Sequence, residues 1–227
     1  MTPISANWQA VKARIAQAAR AAGRAPESIA LLAVSKTIGA AQIRECHAAG
    51  QLAFGENYVQ EALDKIAVLA KLDVEWHMIG PIQSNKTKPI AEHFQWVHSV
   101  EREKIALRLN ESRAAHLPPL NLCIQVNVSG EASKSGIAPG AEIALADLIA
   151  SLPRLRLRGL MAIPEPTPDA VLRRQRYARL RELQENLIAR GHALDTLSMG
   201  MSDNLEDAIA EGATMVRVGT AIFGARS

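Results

Sequence analysis

The chain has 227 residues, of which 48% are hydrophobic and 22% are charged, and this composition excludes disordered, collagen-like and coiled-coil proteins. The net charge of +3 is too small to indicate a nucleic-acid partner. The longest strictly apolar run has six residues (29–34), far below the roughly 18 needed to cross a bilayer, so we expect no membrane segment. Two cysteines without a C-x-x-C motif, and no signal-peptide pattern, predict a cytoplasmic protein.

The first predicted element is an amino-terminal helix. Apolar residues recur at helical spacing, at Trp8, Val11, Ile15, Ala18, Ala19 and Ala22. The first 26 residues also lack acidic side chains, which is a property of transit peptides. We favour a packed helix because of the apolar stripe.

Short β-type runs and helical patterns then alternate along the rest of the chain. The predicted strands are 29–35, 52–55, 74–79, 96–100, 120–128, 155–163, 196–200 and 215–218. The predicted helices between them are 40–49, 58–72, 87–93, 101–116, 142–152, 169–190 and 203–211.

This alternation indicates parallel strands joined by crossover helices. Eight such units predict an α/β fold of the (β/α)8 TIM-type barrel class, with the amino-terminal helix as an addition. The alternative is an open doubly wound sheet, which would require the weaker strands 52–55 and 96–100 to be absent. No linker or low-complexity segment interrupts the pattern, so we expect residues 1–227 to form one domain.

Lys36 follows the first predicted strand directly. In such a barrel the active residues lie at the carboxyl ends of strands, and an apolar surround there favours a neutral amine. A neutral lysine in a cleft is the nucleophile that forms a Schiff base with a carbonyl. Taken alone, Lys36 is better interpreted as a lysine that ends a strand and reaches water.

The end of the chain predicts an anion site beside Lys36. Loops after the seventh and eighth strands often bind phosphate in barrels, and here they contain Ser202, Gly219 and Thr220. The eighth strand neighbours the first in a closed barrel, so a lysine and a phosphate site together indicate a phosphorylated aldehyde. The alternative is structural: Asp203 and Glu206 have capping-box spacing, Ser202 could cap the same helix, and Gly219 could simply end a strand.

Arg217 lies between two valines within the last predicted strand. Strand alternation places the valines on one face and the arginine on the other, toward the barrel interior. A buried guanidinium needs acceptors, so either a carboxylate or a ligand atom is expected to meet it.

Seven segments of the sequence resemble those of the pyridoxal phosphate (PLP) homeostasis proteins, single-domain relatives of the alanine racemase amino-terminal barrel. They are VSKT at Lys36, FGENYVQE from Phe54, HMIGPIQSNK from His77, SKSGI from Ser133, RLRGLMAIP from Arg156, LSMGMSDN from Leu197 and RVGTAIFG from Arg217. The segments occur in the order of the family and extend over essentially the whole chain.

The resemblance implies a role for each site residue. Lys36 would carry PLP as an internal aldimine, and Arg217 would face the pyridine nitrogen. The phosphate would be held by Ser202, Gly219 and Thr220. Asn57 and His77 would line the cofactor pocket.

The resemblance also implies a function in PLP homeostasis, as a carrier, buffer or regulator, with apo forms of PLP-dependent enzymes as acceptors. We expect no enzyme activity. The alternative is an amino-acid racemase, which in the related enzyme needs a tyrosine from a second domain that this sequence does not contain. Tyr58 and Tyr177 are the only tyrosines, and Tyr177 is assigned to helix packing. A further alternative is a Schiff-base aldolase that uses Lys36 without a cofactor.

Other conspicuous residues favour ordinary structural roles. Neither the cysteines nor the histidines have metal-ligand spacing, so we expect no metal site. The arginines of the helix 169–190 lie opposite an apolar face and are interpreted as a solvated surface rather than as a nucleic-acid stripe. Lys134 is interpreted as a surface lysine rather than as a second contact to the aldehyde. The sequence leaves the oligomeric state open, and a monomer is our working expectation.

Overall fold

A computed structural model of the protein describes residues 3–131 and 135–224. Within these ranges eight parallel strands form a closed barrel, in which each strand pairs with the next and β8 pairs with β1. The strands are β1 (Ala30–Val34), β2 (Ala53–Glu56), β3 (Glu75–Met78), β4 (Trp96–Val100), β5 (Leu120–Gln125), β6 (Leu155–Met161), β7 (Thr196–Ser198) and β8 (Met215–Val218). The predicted (β/α)8 barrel is confirmed, and the open-sheet alternative is excluded because β2 and β4 are both members of the closed sheet.

Helices alternate with these strands along the chain. They are α1 (Ile4–Ala21), α2 (Ala40–Ala48), α3 (Val59–Val68), α4 (Thr87–His93), α5 (Glu103–Ser112), α6 (Glu142–Ala150), α7 (Ala170–Ala189), α8 (Leu205–Ala210) and α9 (Thr220–Phe223). Short 3-10 helices cover Pro26–Ser28 and Ser84–Lys86. The bounds predicted for α4, β4 and β8 are the observed ones, whereas most other elements end before the predicted residue because the chain turns into the following loop.

Strand alternation separates an outer core from the barrel interior. On β1, Leu31 and Ala33 belong to the large cluster between the sheet and the helices. Leu32 and Val34 belong instead to a small interior cluster that includes Met215. Because side chains alternate along a strand, Lys36 continues the inward series two residues beyond Val34. The strand therefore directs this lysine toward the barrel mouth.

The amino-terminal helix packs on the helices that follow β7 and β8, near the strand pair β1–β8 that closes the barrel. Its buried stripe contains Val11, Ile15 and Ala19, as the periodicity predicts. Asn7 Nδ2 donates to the main-chain oxygen of Ile222, and Arg14 forms a salt bridge with Glu206 at 2.8 Å. Helix α1 thus contacts both α8 and α9, the helices that follow β7 and β8.

The arginines of α7 are largely partnered within the molecule. Arg173 pairs with Asp207 at 2.8 Å, and Arg174 and Arg181 both reach Glu211, at 2.8 and 3.1 Å. These contacts join α7 to α8. Arg174 and Arg179 are nevertheless 52% exposed, so the arginine-rich face is in part the solvated surface that the sequence predicted and in part an interhelical contact.

Both cysteines are packed in the core. Cys46 and Cys123 are unpaired and fully buried, and burial raises the pKa of each thiol to about 12. In the described parts of the chain, no cluster of three or more His, Cys, Asp or Glu side chains is arranged to hold a metal ion.

None of the helices described is both long enough and apolar enough to cross a membrane.

Candidate cofactor site at the barrel mouth

A cavity of about 200 Å³ lies at the carboxyl ends of the strands. Six of the seven predicted site residues line it: Lys36, Asn57, Ser202, Arg217, Gly219 and Thr220. The rest of the wall is formed by Val34, Ile79, Ile163, Met201 and Asp203. The structure therefore brings an amine, a guanidinium and two hydroxyl groups together against an apolar wall.

The backbone on both sides of Lys36 is held by hydrogen bonds. Ser35 is fully buried, and its N–H donates to the main-chain oxygen of Gly55 on β2. Thr37 has a φ of +64°, the only positive value among the described non-glycine residues, and its N–H donates to a carboxylate oxygen of Glu61. A threonine in the left-handed region costs roughly 1–3 kcal/mol, so the surrounding contacts must stabilise this turn.

A buried ion-pair cluster behind Lys36 supplies such contacts, and sequence reasoning did not identify it. Lys65 Nζ donates to Glu56 Oε1 at 2.8 Å and to the main-chain oxygen of Ser35 at 2.7 Å, and it also reaches Glu61. Ser35 Oγ donates to the same oxygen of Glu56. Burial raises the pKa of Glu56, and the hydrogen bonds from Lys65 and Ser35 offset part of this effect. One signal was available: Lys65 follows Val59 and Ala62 at three-residue intervals and so shares their buried face of α3.

The residues predicted to bind phosphate, Ser202, Gly219 and Thr220, lie in the segments that follow β7 and β8. Gly200 has a φ of +92°, and a Cβ atom there would lie 2.6 Å from the Cβ of Ala208, so the turn after β7 requires glycine. Asn204 then accepts from the N–H of Met201 at 2.8 Å. Helix α8 starts only at Leu205, two residues later than predicted, and no side-chain cap bond forms at its start. The structural alternative, a capping box of Asp203 and Glu206, is therefore not observed, and Ser202 lies in a loop that lines the cavity.

Arg217 is buried within the barrel, and the acceptors that it meets differ from those expected. Nη1 donates to the main-chain oxygen of Ser198 at 2.6 Å and to its Oγ at 2.8 Å, while Nη2 donates to the main-chain oxygen of Ala162 at 2.9 Å. Neutral oxygens, rather than a carboxylate, thus hold the guanidinium. Burial lowers the pKa of Arg217 to about 10, which leaves the group charged at neutral pH.

Asn57 lines the cavity, but the oxygen of its side-chain amide is buried behind the wall. This Oδ1 has no hydrogen bond, and an unpaired buried acceptor costs roughly 1–3 kcal/mol. The loop that carries Asn57 passes very close to Gly80, since a Cβ on Gly80 would lie 2.3 Å from the main-chain oxygen of Asn57. The close approach of these two loops therefore requires glycine at position 80.

The structure separates His77 from the other six predicted residues. Its side chain is fully buried in the barrel and is not part of the cavity wall. The imidazole bonds Glu75 through Nε2 and His98 through Nδ1, and it stacks on Trp96 at a ring-centroid distance of 5.3 Å. Any effect of His77 on a ligand must therefore pass through its neighbours.

A second, larger depression shares one residue with the cavity. A larger groove of about 620 Å³ shares Asn57 with the cavity and is lined also by Tyr58, Lys86 and Arg102. It contains none of the other predicted site residues. Lys134, considered as a second aldehyde contact, lies outside the described residues.

Comparison with known proteins identifies the family. Residues 6–227 match the alanine racemase N-terminal domain family. A pyridoxal phosphate homeostasis protein of Pseudomonas aeruginosa is 65% identical over 226 residues, which cover 100% of this chain and 97% of that protein. The solved structure of PipY of Synechococcus elongatus with PLP bound has a TM-score of 0.81 and 39% identity, covering 92% of this chain and 100% of PipY. An unknown protein from Bifidobacterium adolescentis has a TM-score of 0.90 and 34% identity, over 97% of this chain and 94% of the other. The chain belongs to the alanine racemase N-terminal domain family and, within it, to the pyridoxal phosphate homeostasis proteins.

Proposed function

We propose that this protein binds PLP in the mouth cavity, holds it as a Schiff base on Lys36, and acts as a carrier, buffer or regulator of intracellular PLP. The observation that carries the proposal is the convergence of Lys36, Arg217 and the Ser202 and Thr220 loops on one cavity. The PLP in the related PipY structure and the name shared by the full-length relatives support the same assignment.

The residues of the cavity fit the polar groups of PLP. The ligand has an aldehyde, a phosphate, a phenolic hydroxyl and a ring nitrogen. The wall offers an amine, hydroxyl donors and a guanidinium. When bound, PLP supplies an aldehyde carbon that condenses reversibly with an amine.

Arg217 is suited to bind a ring nitrogen without protonating it. An arginine has five N–H donors, and the described contacts of Arg217 use two on Nη1 and one on Nη2. We assign the Nε hydrogen and the second Nη2 hydrogen to the cavity. Because the guanidinium remains charged at neutral pH, it donates a hydrogen bond but is a poor proton donor.

The Ser202 and Thr220 loops would hold the phosphate, and α1 would hold the first of them in place. Arg14 Nη2 donates to the main-chain oxygen of Ser202 at 3.1 Å while its side chain pairs with Glu206. Asp203 is the one acidic residue of the wall and is exposed, so water screens its repulsion of an anion.

The tyrosines favour a carrier over a racemase. Tyr177 is buried among the helices, where burial raises its pKa to about 12, and Tyr58 is 58% exposed in the neighbouring groove. Neither lines the cavity.

We further propose a cytoplasmic location, consistent with two unpaired cysteines.

Borohydride reduction followed by peptide mapping tests the binding mode. We expect absorbance from covalently bound PLP, a reduced adduct on Lys36, and loss of both in Lys36→Ala. Lys86→Ala is the matched control and should retain both signals. An adduct on Lys86, Lys88 or Lys134 in the unaltered protein would overturn the assignment to Lys36.

Incubation with an apo PLP-dependent enzyme tests the carrier role. We expect PLP to appear in the acceptor, and we expect negligible exchange of the α-hydrogen of alanine or serine in deuterated water. Exchange at about 1 per second or faster that depends on Lys36 would indicate an enzyme instead.

A further inference from the structure

A continuous chain of side chains crosses the barrel interior from Arg217 to the opposite end of the barrel. Arg217 Nη1 lies 2.8 Å from Ser198 Oγ, which lies 2.8 Å from His98 Nδ1. His98 Nε2 lies 2.9 Å from His77 Nδ1, and His77 Nε2 lies 2.8 Å from Glu75 Oε1. We call Glu75, His77, His98 and Ser198 the interior chain. Glu75 is the first residue of β3, and its side chain is 47% exposed, so the interior chain reaches solvent at the end away from the mouth.

The donors and acceptors of the interior chain are all paired only if each hydrogen bond is donated in the direction from Arg217 toward Glu75. Arginine has only donors, so Ser198 Oγ accepts from Arg217. The hydroxyl then has its single hydrogen to donate, and His98 Nδ1 is the acceptor. A neutral His98 therefore carries its hydrogen on Nε2 and donates it onward.

The same reasoning fixes the second imidazole. His77 Nδ1 accepts from His98, so the hydrogen of a neutral His77 is on Nε2, where it donates to the Glu75 carboxylate. In the opposite direction, an unprotonated His77 Nε2 would face a carboxylate oxygen, and the Ser198 hydroxyl would lose its acceptor. The interior chain thus connects the positive charge of Arg217 to the negative charge of Glu75 through a hydroxyl and two neutral imidazoles.

Burial and packing support neutral, immobile histidines. Burial lowers the pKa of His77 and lowers that of His98 well below its ordinary value, and the positive charge of Arg217 adds to the effect on His98. The pKa of Glu75 is lowered, chiefly by its hydrogen bond with His77. The His77 ring is stacked on Trp96 with an interplanar angle of 6°, and the Arg158 guanidinium lies over that indole, 4.7 Å from its centroid. Asp195 in turn accepts hydrogen bonds from Arg158 on both carboxylate oxygens.

We propose that the members of the interior chain are positioning residues: they hold the Nη1 side of Arg217 away from the cavity and thereby direct its remaining donors toward the cofactor. Their effect on the cofactor rests on the proposed function, but the tautomers of His77 and His98 do not. Both histidines should be Nε2–H tautomers whether or not PLP is bound.

Long-range nitrogen–proton NMR of the unloaded protein tests the direction of the interior chain. We expect His77 and His98 to show a protonated Nε2 and an unprotonated Nδ1, unchanged between pH 7 and pH 8.5. A protonated Nδ1 on either residue would overturn the proposal. This measurement uses the unaltered protein, so it does not depend on a variant folding.

Ser198 variants test the link to Arg217. In Ser198→Ala we expect the His98 nitrogen shifts to change and PLP affinity to fall roughly three- to tenfold, and Ser198→Thr should restore both. Ser151→Ala is the control, because the Ser151 hydroxyl is exposed and donates to the main-chain oxygen of Leu148 on α6. Unchanged imidazole signals in Ser198→Ala, or the same changes in Ser151→Ala, would contradict the proposal. Failure of the unaltered protein to bind PLP would refute the proposed function alone, since the NMR result stands without cofactor.

Discussion

The ammonium group of Lys65 donates a hydrogen bond to the main-chain oxygen of Ser35, at 2.7 Å. Ser35 immediately precedes Lys36, and the residue after Lys36 is held by Glu61, another partner of Lys65. A buried charge on α3 therefore fixes the backbone from which the candidate cofactor lysine extends. This arrangement links the stability of the fold to the geometry of the site.

Lys65→Met should destabilise the protein by about 3–5 kcal/mol, because it leaves the fully buried Glu56 carboxylate without its cationic partner. Urea unfolding at neutral pH measures this loss, and PLP affinity should fall with it. The double variant Lys65→Met/Glu56→Gln should be less destabilised than the single one. Lys104→Met, at an exposed site on α5, is the control. If Lys65→Met and Lys104→Met unfold at the same urea concentration, the buried cluster does not contribute as described.

Acid should destabilise the protein through His77 and His98. Both have a pKa lowered from 6.5 by burial, so the unfolded chain binds more protons below that pH. Stability is therefore present above pH 6.5 and is lost as the pH falls toward the folded-state values, by up to about 1.4 kcal/mol per pH unit for each histidine. Urea unfolding between pH 7.5 and pH 5 gives the slope. His77→Gln or His98→Gln should make it shallower, and an equally steep slope in both variants would assign the effect elsewhere.

Ser202→Ala should reduce PLP affinity by about tenfold or more, since a hydrogen bond to a charged group contributes roughly 1.5–3 kcal/mol. Pyridoxal, which lacks the phosphate, should bind far more weakly than PLP to the unaltered protein and should be little affected by the substitution. Equilibrium titration followed by absorbance makes both comparisons. Ser151→Ala, at the carboxyl end of α6, is the matched control. Equal affinity for the two ligands would show that these loops serve only the fold.

Gly80→Ala should lower stability by roughly 1–3 kcal/mol, because the added Cβ would meet backbone atoms rather than a flexible side chain. The substitution should also displace Asn57 and weaken PLP binding. Thermal unfolding and PLP titration provide the two readouts. In Gly39→Ala the nearest atom would be 3.8 Å away, so this control should change stability by less than about 1 kcal/mol. A Gly80→Ala protein as stable as the Gly39→Ala protein would contradict the close approach.

Local patterns predicted the barrel well because each strand and helix has its own periodicity. The alternation of Val216, Arg217 and Val218 placed the arginine inside the barrel, and the order of the strands brought it close to Lys36. The acceptors of Arg217 could not be predicted in this way. Two of them are main-chain oxygens, which every residue has, so the residue types do not reveal them. The family resemblance implied that His77 lines the pocket, yet its contacts depend on the register between β3 and β4, which single-sequence patterns do not specify. Lys65 was passed over because a lysine on an amphipathic helix is normally exposed.

The pairing of β1 with β8, together with the packing of α1 on α8 and α9, has a consequence for synthesis of the protein. Lys36 is synthesised well before Ser202, Arg217 and Thr220. A nascent chain therefore contains the candidate lysine long before it contains the groups that would retain a phosphate beside it. Stable cofactor capture is thus expected only of a chain whose synthesis has passed β8, and pulse-labelled ribosome-bound intermediates that end before β8 should retain no PLP after gel filtration.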